Sequence, residues 1–200
     1  MVVKEIPVIL SPGTRAGPRL NAGDQAPAAM ALDLDGQTVD FAKLWPHGPV
    51  LFVFLRHFGC IFCRELLADL QARSADLARA GLSVVAVGLG EPRHAQRIGR
   101  RHAPDITVLA APTADAYAAY GIVRAGLKQV LSPRTFAAGA RAALGGNVQT
   151  AATGDPQMVG GAFVVDQQGV VRLAHYDGYP GDKPDLDRIV ALGRRLTRRD

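Results

Sequence analysis

Two cysteines, Cys60 and Cys63, are the residues of this sequence with the clearest capacity for chemistry, and no other cysteine is present. A close pair in a chain without a disulfide framework is more often catalytic, redox-active or metal-binding than structural. Gly59 precedes the pair at the end of an apolar run, so we expect an exposed turn, which favours redox use over two buried structural cysteines. A zinc site needs four ligands, but there is no second cysteine pair and the histidines show no ligand spacing. The sequence therefore predicts a thiol redox site without a metal.

The elements around the pair give each cysteine a different role. An apolar run at 50–55, a predicted strand, precedes Cys60, and an amphipathic helical stretch at 63–80 follows. A cysteine at a helix N-terminus lies beside unpaired backbone N–H groups and the positive end of the dipole, which favour the thiolate. Cys60 is therefore the predicted nucleophile. Cys63 follows one turn later on the same face, near enough to form a disulfide, and is the predicted resolving thiol.

Three basic residues flank the cysteines: Arg56, His57 and Arg64. Each would stabilise a thiolate or an anionic transition state by its positive charge. Arg64 lies four residues after Cys60, on the same helical face, and receives slightly more weight than His57. Pairing with solvent or a carboxylate is the alternative for Arg64, and a structural role is an equal alternative for His57.

The pattern of apolar residues predicts an α/β fold with a mixed central β-sheet flanked by helices. Runs rich in Val, Ile, Leu and Phe predict central, parallel strands at 50–55, 82–89 and 106–109. Two later runs around Gln167, Gln168 and Gly169 predict a β-hairpin, with strands at 163–166 and 170–176. Helical spacing and stop signals predict helices at 63–80, 92–102, 133–144 and 184–199.

Length and composition indicate one globular domain. The chain has 200 residues, of which 48% are hydrophobic and 20% charged, so it can bury a core and is not disordered over most of its length. No apolar run approaches the roughly 18 residues that a membrane span needs. The first 20 residues do not have the pattern of a secretory signal, and we expect a cytosolic location.

The net charge of +5 comes from an arginine-rich chain with two basic clusters. The first lies at 93–102, and the second contains Arg194, Arg195, Arg198 and Arg199. No aromatic residues alternate with these arginines, as they would in a platform for single strands, and no helix-turn-helix or zinc-finger spacing accompanies them. We therefore expect solvated basic helix faces rather than a nucleic-acid site.

Beyond the cysteine pair, several motifs resemble those of the peroxiredoxin-like 2 or selenoprotein U group of the AhpC/TSA superfamily. They are Gly23-Asp24-Gln25-Ala26-Pro27, Asp33-Leu34-Asp35-Gly36, the redox turn from Arg56 to Arg64, Tyr117 to Gly121, and the late segment 154–166 with Gly169, His175 and Gly181-Asp182. The late segment is the most specific of these. The resemblance covers nearly the whole chain and implies a single thioredoxin-like domain over 1–200, with 1–22 as an N-terminal extension.

The resemblance also implies a thiol-dependent oxidoreductase of the peroxiredoxin-like type. Cys60 would attack a peroxide or another oxidised substrate, Cys63 would close the CxxC disulfide, and thioredoxin or glutathione would reduce it, with no bound cofactor. Substrate contacts are expected at four residues of the matching motifs: Phe58, Gln157, Gly160 and Gly161. Because the two glycines have no side chains, the backbone there would approach the sulfur closely.

The sequence departs from typical peroxiredoxins at three positions. Val53 and His57 stand where typical members carry a Pro and a Thr or Ser, and Gly160 stands in place of an Arg. Those groups orient and polarise the peroxide oxygens, so their absence argues against fast peroxide reduction. Two alternatives stay open: a thioredoxin-like protein-disulfide reductase, and a non-catalytic redox-regulatory binding module. A nucleic-acid binder that uses the cluster at 93–101 is a weaker third.

Overall fold

The computed structural model of the protein describes residues 16–124, 133–147 and 149–198. Within them the strands are β1 (Met30–Leu32), β2 (Thr38–Asp40), β3 (Val50–Leu55), β4 (Ser83–Leu89), β5 (Thr107–Ala111), β6 (Gly161–Val165) and β7 (Val171–Tyr176). The α-helices are α1 (Ile61–Ala72), α2 (Ser74–Arg79), α3 (Pro92–His102), α4 (Asp115–Ala119), α5 (Pro133–Leu144) and α6 (Leu186–Leu196).

The strands form one mixed sheet in the order β2-β1-β5-β4-β3-β6-β7. β3, β4 and β5 pair in parallel, because a helical connection returns the chain to the same end of the sheet before each new strand. β6 pairs antiparallel with β3 and with β7, while β1 and β2 extend the opposite edge. β3 therefore lies inside the sheet, and its carboxyl end leads directly into the cysteine turn.

Two apolar layers cover the two faces of the sheet. Side chains alternate along β3, so Phe52 and Phe54 enter one layer while Leu51, Val53 and Leu55 enter the other. Tyr117 of helix α4 and Tyr120, which follows that helix, are buried in the first layer. Helices α1, α3 and α6 contribute aliphatic side chains to the second. Because both faces are covered, all six residues of β3 are buried, which explains its unbroken apolar sequence.

The structure confirms most of the elements expected from the sequence, including the α/β class and the mixed sheet. β3, α3 and α5 have the predicted bounds, β4 and β5 differ from them by one or two residues, and the hairpin is the antiparallel pair β6–β7. The last helix is shorter than predicted at both ends: it ends at Leu196, and it begins at Leu186 because Asp185 caps its first turn, accepting a hydrogen bond from the Arg188 N–H at 3.0 Å. Residues 1–15 of the N-terminal extension and Arg199 of the second basic cluster lie outside the described residues.

The prediction of one helix at 63–80 is wrong. The helix begins at Ile61, which makes Cys60 the residue that immediately precedes it, and a break at Arg73 divides it into α1 and α2. The backbone of Arg73 leaves the helical conformation, and its guanidinium binds Asp76 at 3.0 Å and Asp187 at 2.8 Å. These ion pairs hold the chain at the break.

Candidate active site

The cysteine turn joins the carboxyl end of β3 to the first turn of α1. Cys60 is the cap residue of α1, and Cys63 lies in its first turn. Both are free thiols, and they are close enough for the Cys63 thiol to donate a hydrogen bond to the Cys60 sulfur. The backbone N–H of Arg56 donates to Cys63 Sγ at 3.2 Å. The expected proximity of the two sulfurs is therefore present in the reduced protein.

The two thiols have opposite acidities. The hydrogen bond from Cys63 and the nearby charge of Arg56 outweigh burial and lower the pKa of Cys60 to about 6. Backbone N–H groups of the first turn of α1 contribute in the same direction, as a helix N-terminus does for a thiolate. Burial, and then the bond to Cys60, raise the pKa of Cys63 well above its usual value. These opposite shifts favour a thiolate on Cys60 beside a protonated thiol on Cys63 at neutral pH.

Arg56 is the basic residue that touches the reactive sulfur. Its Nη1 lies 3.5 Å from Cys60 Sγ. The same guanidinium donates to two backbone carbonyls about a hundred positions away, through Nε to Met158 at 2.9 Å and through Nη2 to Pro156. Arg56 is half-buried, so this charge acts in a medium less polar than water. One side chain thus stabilises the thiolate and fixes the loop opposite it.

The other two basic residues of the turn have different surroundings. Arg64 donates from Nη2 to the Thr150 hydroxyl at 2.8 Å, and its charge also acts on both cysteines. His57 is buried, and its Nδ1 accepts a hydrogen bond from the Gly59 N–H at 3.2 Å. Burial, and next the charge of Arg56, lower the pKa of His57 to about 4. This lowered pKa favours the neutral imidazole and so supports the structural alternative for His57 over a charged role.

A stretch of chain that we call the cover segment, residues 149–158, lies over the cysteine turn. The Gln149 side chain accepts a hydrogen bond from the Ile61 N–H at 2.9 Å, and the Thr150 N–H donates to the Gly59 carbonyl at 3.0 Å. The Thr153 hydroxyl accepts from the Phe58 N–H at 3.0 Å. These bonds cap backbone groups of the turn that would otherwise face water.

The cover segment explains why the expectation of an exposed turn is wrong. Cys60 is 1% exposed and Cys63 is 5% exposed. Gly59 is required by the close approach of the cover segment, because a Cβ at this position would lie 1.9 Å from the Ala151 carbonyl oxygen. The far end of the segment is held by Asp155, which pairs with Arg124 and accepts from the Gln157 N–H at 2.9 Å.

Four residues were expected to contact substrate. Gln157 is exposed on the cover segment, next to the two carbonyls that Arg56 binds. Phe58 is buried and packs over Gly88, where a Cβ would come within 2.4 Å of its ring. A Cβ at Gly160 would lie 2.5 Å from the Phe54 carbonyl and from Asp177, and one at Gly161 would lie 2.8 Å from the His175 carbonyl. The packing of β6 against β3 and β7 thus accounts for both glycines.

Two contributions to the site escaped the sequence analysis of single residues. Tyr117 is fully buried in α4, and its hydroxyl binds the backbone carbonyls of Leu55 and Val87 at the carboxyl ends of β3 and β4. The threonines of the cover segment cap the turn from about ninety positions away. The sequence analysis singled out the motif at 117–121 but did not assign a role to its tyrosine. No local sequence pattern pointed to the threonines.

Comparison with known proteins identifies a family and several relatives of this chain. The model of the AhpC/TSA family matches residues 22–174, which include both cysteines. The prostamide/prostaglandin F synthase of Salmo salar is 28% identical over 164 residues, covering 78% of this chain and 80% of that protein. Peroxiredoxin-like 2C of Homo sapiens is 24% identical over 187 residues, covering 86% of this chain and 82% of that protein.

The structural comparison concerns the fold. Peroxidoxin BcpB from Mycobacterium tuberculosis superposes with a TM-score of 0.64 at 17% identity, covering 89% of this chain and 99% of that one. This similarity confirms the expected thioredoxin-like fold. None of the helices in the described part of the chain is long and apolar enough to cross a membrane. With a family match over most of its length, the chain belongs to the AhpC/TSA family and is a thiol-dependent oxidoreductase.

Proposed function

We propose that this protein is a peroxidase in which Cys60 is the nucleophile and Cys63 the resolving thiol of a CxxC disulfide. The observation that carries the proposal is the arrangement at one sulfur: Cys60 receives a hydrogen bond from the Cys63 thiol and faces the Arg56 guanidinium at 3.5 Å. This arrangement supports a thiolate at neutral pH beside a protonated partner thiol. The attacking sulfur must be ionised, whereas the resolving sulfur can stay protonated until the first step is complete.

The reaction has two chemical steps. The Cys60 thiolate attacks one oxygen of a peroxide, the O–O bond breaks, and the leaving oxygen takes up a proton as an alcohol or water, which leaves a sulfenic acid on Cys60. The Cys63 thiol then gives up its proton and attacks that sulfur, a disulfide forms and water departs. An external dithiol must return two electrons to the pair before the next cycle.

A small oxidant fits this site better than a protein disulfide does. Cys60 is 1% exposed beneath the cover segment, so a folded substrate protein would have to displace that segment to reach the sulfur. Arg56 has the position to polarise a peroxide oxygen beside the sulfur, the function for which typical peroxiredoxins use the groups replaced here by His57 and Gly160. We assign Arg64 to holding the cover segment through Thr150.

The proposal extends to the surroundings of the reaction. The chain acts as one domain in a reducing compartment such as the cytosol, with thioredoxin or glutathione as reductant and without a bound cofactor. His57 serves as a neutral, buried support of the turn. Gln157, exposed beside the Arg56 contacts, is the expected substrate-binding residue among the four considered.

Single substitutions at the two cysteines test the mechanism by steady-state turnover and intact mass. Cys60→Ser is expected to abolish peroxide turnover, because the Cys63 thiol that remains is buried and burial raises its pKa, which disfavours the nucleophilic thiolate. Cys63→Ser is expected to consume one equivalent of peroxide and stop, with a sulfenic acid or a mixed disulfide on Cys60. Turnover that survives in Cys60→Ser would end the proposal.

A further inference from the structure

Helix α3 presents a row of arginines to solvent on one side. We call this surface the α3 arginine face: Arg93, Arg97, Arg100 and Arg101, all exposed. Their spacing of three and four residues places them together, while Ala95, Ile98 and Gly99 turn inward. The arginines line a shallow depression with Gln96.

No carboxylate in the described part of the chain forms an ion pair with the α3 arginine face. The two nearest acidic residues along the chain are otherwise engaged, since Glu91 caps the helix and Asp105 binds Gln71 at 2.6 Å. Like charges four residues apart destabilise a helix, and Arg93 lies at the end where the helix dipole disfavours a cation. The helix dipole favours Arg100 and Arg101 in the last turn, but no described carboxylate offsets the repulsion among the four arginines.

Helix α3, which carries the face, packs against α1, the helix that begins at the cysteine turn. Burial, and then the charge of Arg101, lower the pKa of Arg64, which belongs to the redox helix α1. His102 at the end of α3 is subject in turn to the charge of Arg64. Arg64 is the side chain that holds the cover segment through Thr150. Arg64 therefore lies between the arginines of α3 and the cover segment. The cover segment must move before a reductant reaches the cysteines.

We propose that the α3 arginine face docks the acidic surface of the protein dithiol that reduces the Cys60–Cys63 disulfide. The inference rests on the proposed function, which requires such a dithiol in every cycle. In the exchange, a thiolate of the partner attacks one sulfur, the internal S–S bond breaks, and the partner's second thiol resolves the mixed disulfide. Two electrons pass to this chain and the partner leaves as a disulfide.

The chemistry of the face favours an acidic protein over a nucleic acid. The sequence of α3 holds no Phe, Tyr or Trp on which bases would stack. Charge complementarity raises the rate of encounter and holds the partner at the site while the buried disulfide becomes accessible. A steered encounter also weakens with added salt, which gives the proposal a measurable signature.

The test is the rate at which the oxidised protein is reduced by an acidic thioredoxin, with dithiothreitol as an uncharged dithiol of the same chemistry. The variant is Arg97→Glu with Arg100→Glu. The matched control is Arg194→Glu with Arg195→Glu, which makes the same change in net charge on α6, where Arg195 lies beside Pro49 at the opposite end of β3 from the cysteines. The disulfide is formed chemically in each protein before mixing.

We expect the α3 variant to lose about tenfold or more of the thioredoxin rate and most of its salt dependence. The dithiothreitol rate and the control variant should stay within about twofold of the unmodified protein. An unchanged thioredoxin rate, or an equal loss with dithiothreitol, would overturn the docking proposal while leaving the peroxidase intact. If the unmodified protein binds single-stranded RNA in a gel-shift assay and the α3 variant does not, while the thioredoxin rate is unchanged, the face would be a nucleic-acid site instead. Absence of any internal disulfide would refute the proposed function itself.

Discussion

At the scale of single residues, Arg56 joins the chemistry to the loop above it. Its guanidinium contacts Cys60 Sγ and the carbonyls of Pro156 and Met158. The sequence placed Arg56, His57 and Arg64 near the cysteines, but it could not rank them. Their ranking depends on burial and on contacts with residues a hundred positions away, and neither is encoded in local spacing.

Replacing Arg56 by Met is expected to raise the pKa of Cys60 by about one unit, because the positive charge that favours the thiolate is removed. Less thiolate is then present between pH 6 and 8. The ultraviolet absorbance of the thiolate, titrated against pH in a Cys63→Ser background, measures the shift. Arg79→Met, on the exposed side of α2, is the control, and an equal shift there would contradict the assignment.

His57 predicts a pH dependence of stability. Its pKa is about 4 in the folded protein against about 6.5 in an unfolded chain, so the unfolded state binds more protons between these values. Folding should lose up to about 3 kcal/mol as the pH falls from 6.5 to 4, and should keep this contribution above pH 6.5. Urea unfolding of His57→Gln should show a flatter profile, whereas the exposed His47→Gln should match the unmodified protein. Parallel profiles for all three proteins would refute this account.

At the scale of elements, sequence patterns were sufficient where apolar periodicity is strong. β3 is buried on both faces and α3 has one apolar side, so their bounds follow from composition alone. The hairpin β1–β2 escaped prediction because strands of three residues show no measurable period. The break at Arg73 depends on ion pairs, one of them to a residue of α6. The cover segment has no regular structure, and its role comes entirely from tertiary contacts.

Gly59→Ala tests the cover segment. An added Cβ cannot coexist with the Ala151 carbonyl at 1.9 Å, so the segment must shift and expose Cys60. We expect the reaction of Cys60 with an uncharged aromatic disulfide to accelerate about tenfold, because access rather than acidity changes. The thiolate titration of the same variant keeps the two effects apart.

Gly139→Ala serves as the control for that substitution, since its Cβ would meet only the Phe62 ring at an ordinary 3.9 Å. It should leave the rate unchanged. A Gly59→Ala protein that reacts no faster than Gly139→Ala would mean that the cover segment does not limit access to the sulfur.

At the scale of the whole molecule, the fold brings three distant parts of the chain together at the carboxyl ends of the parallel strands. The carboxyl ends of β3 and β4 lie side by side, where the Tyr117 hydroxyl joins them, and the cysteine turn follows β3 directly. The cover segment crosses above the turn before the chain enters β6. The redox turn could be predicted from its own sequence. Its burial under the cover segment could not, because it depends on contacts between distant parts of the chain.

The most direct test of this account is the mass of the fully reduced protein after mixing with one equivalent of hydrogen peroxide. The account predicts rapid loss of two hydrogens, with a Cys60–Cys63 disulfide in the peptide map, and the addition of one oxygen in Cys63→Ser. An unchanged mass would contradict the peroxidase assignment. Stable addition of oxygen without loss of the two hydrogens would contradict the role of Cys63 as the resolving thiol.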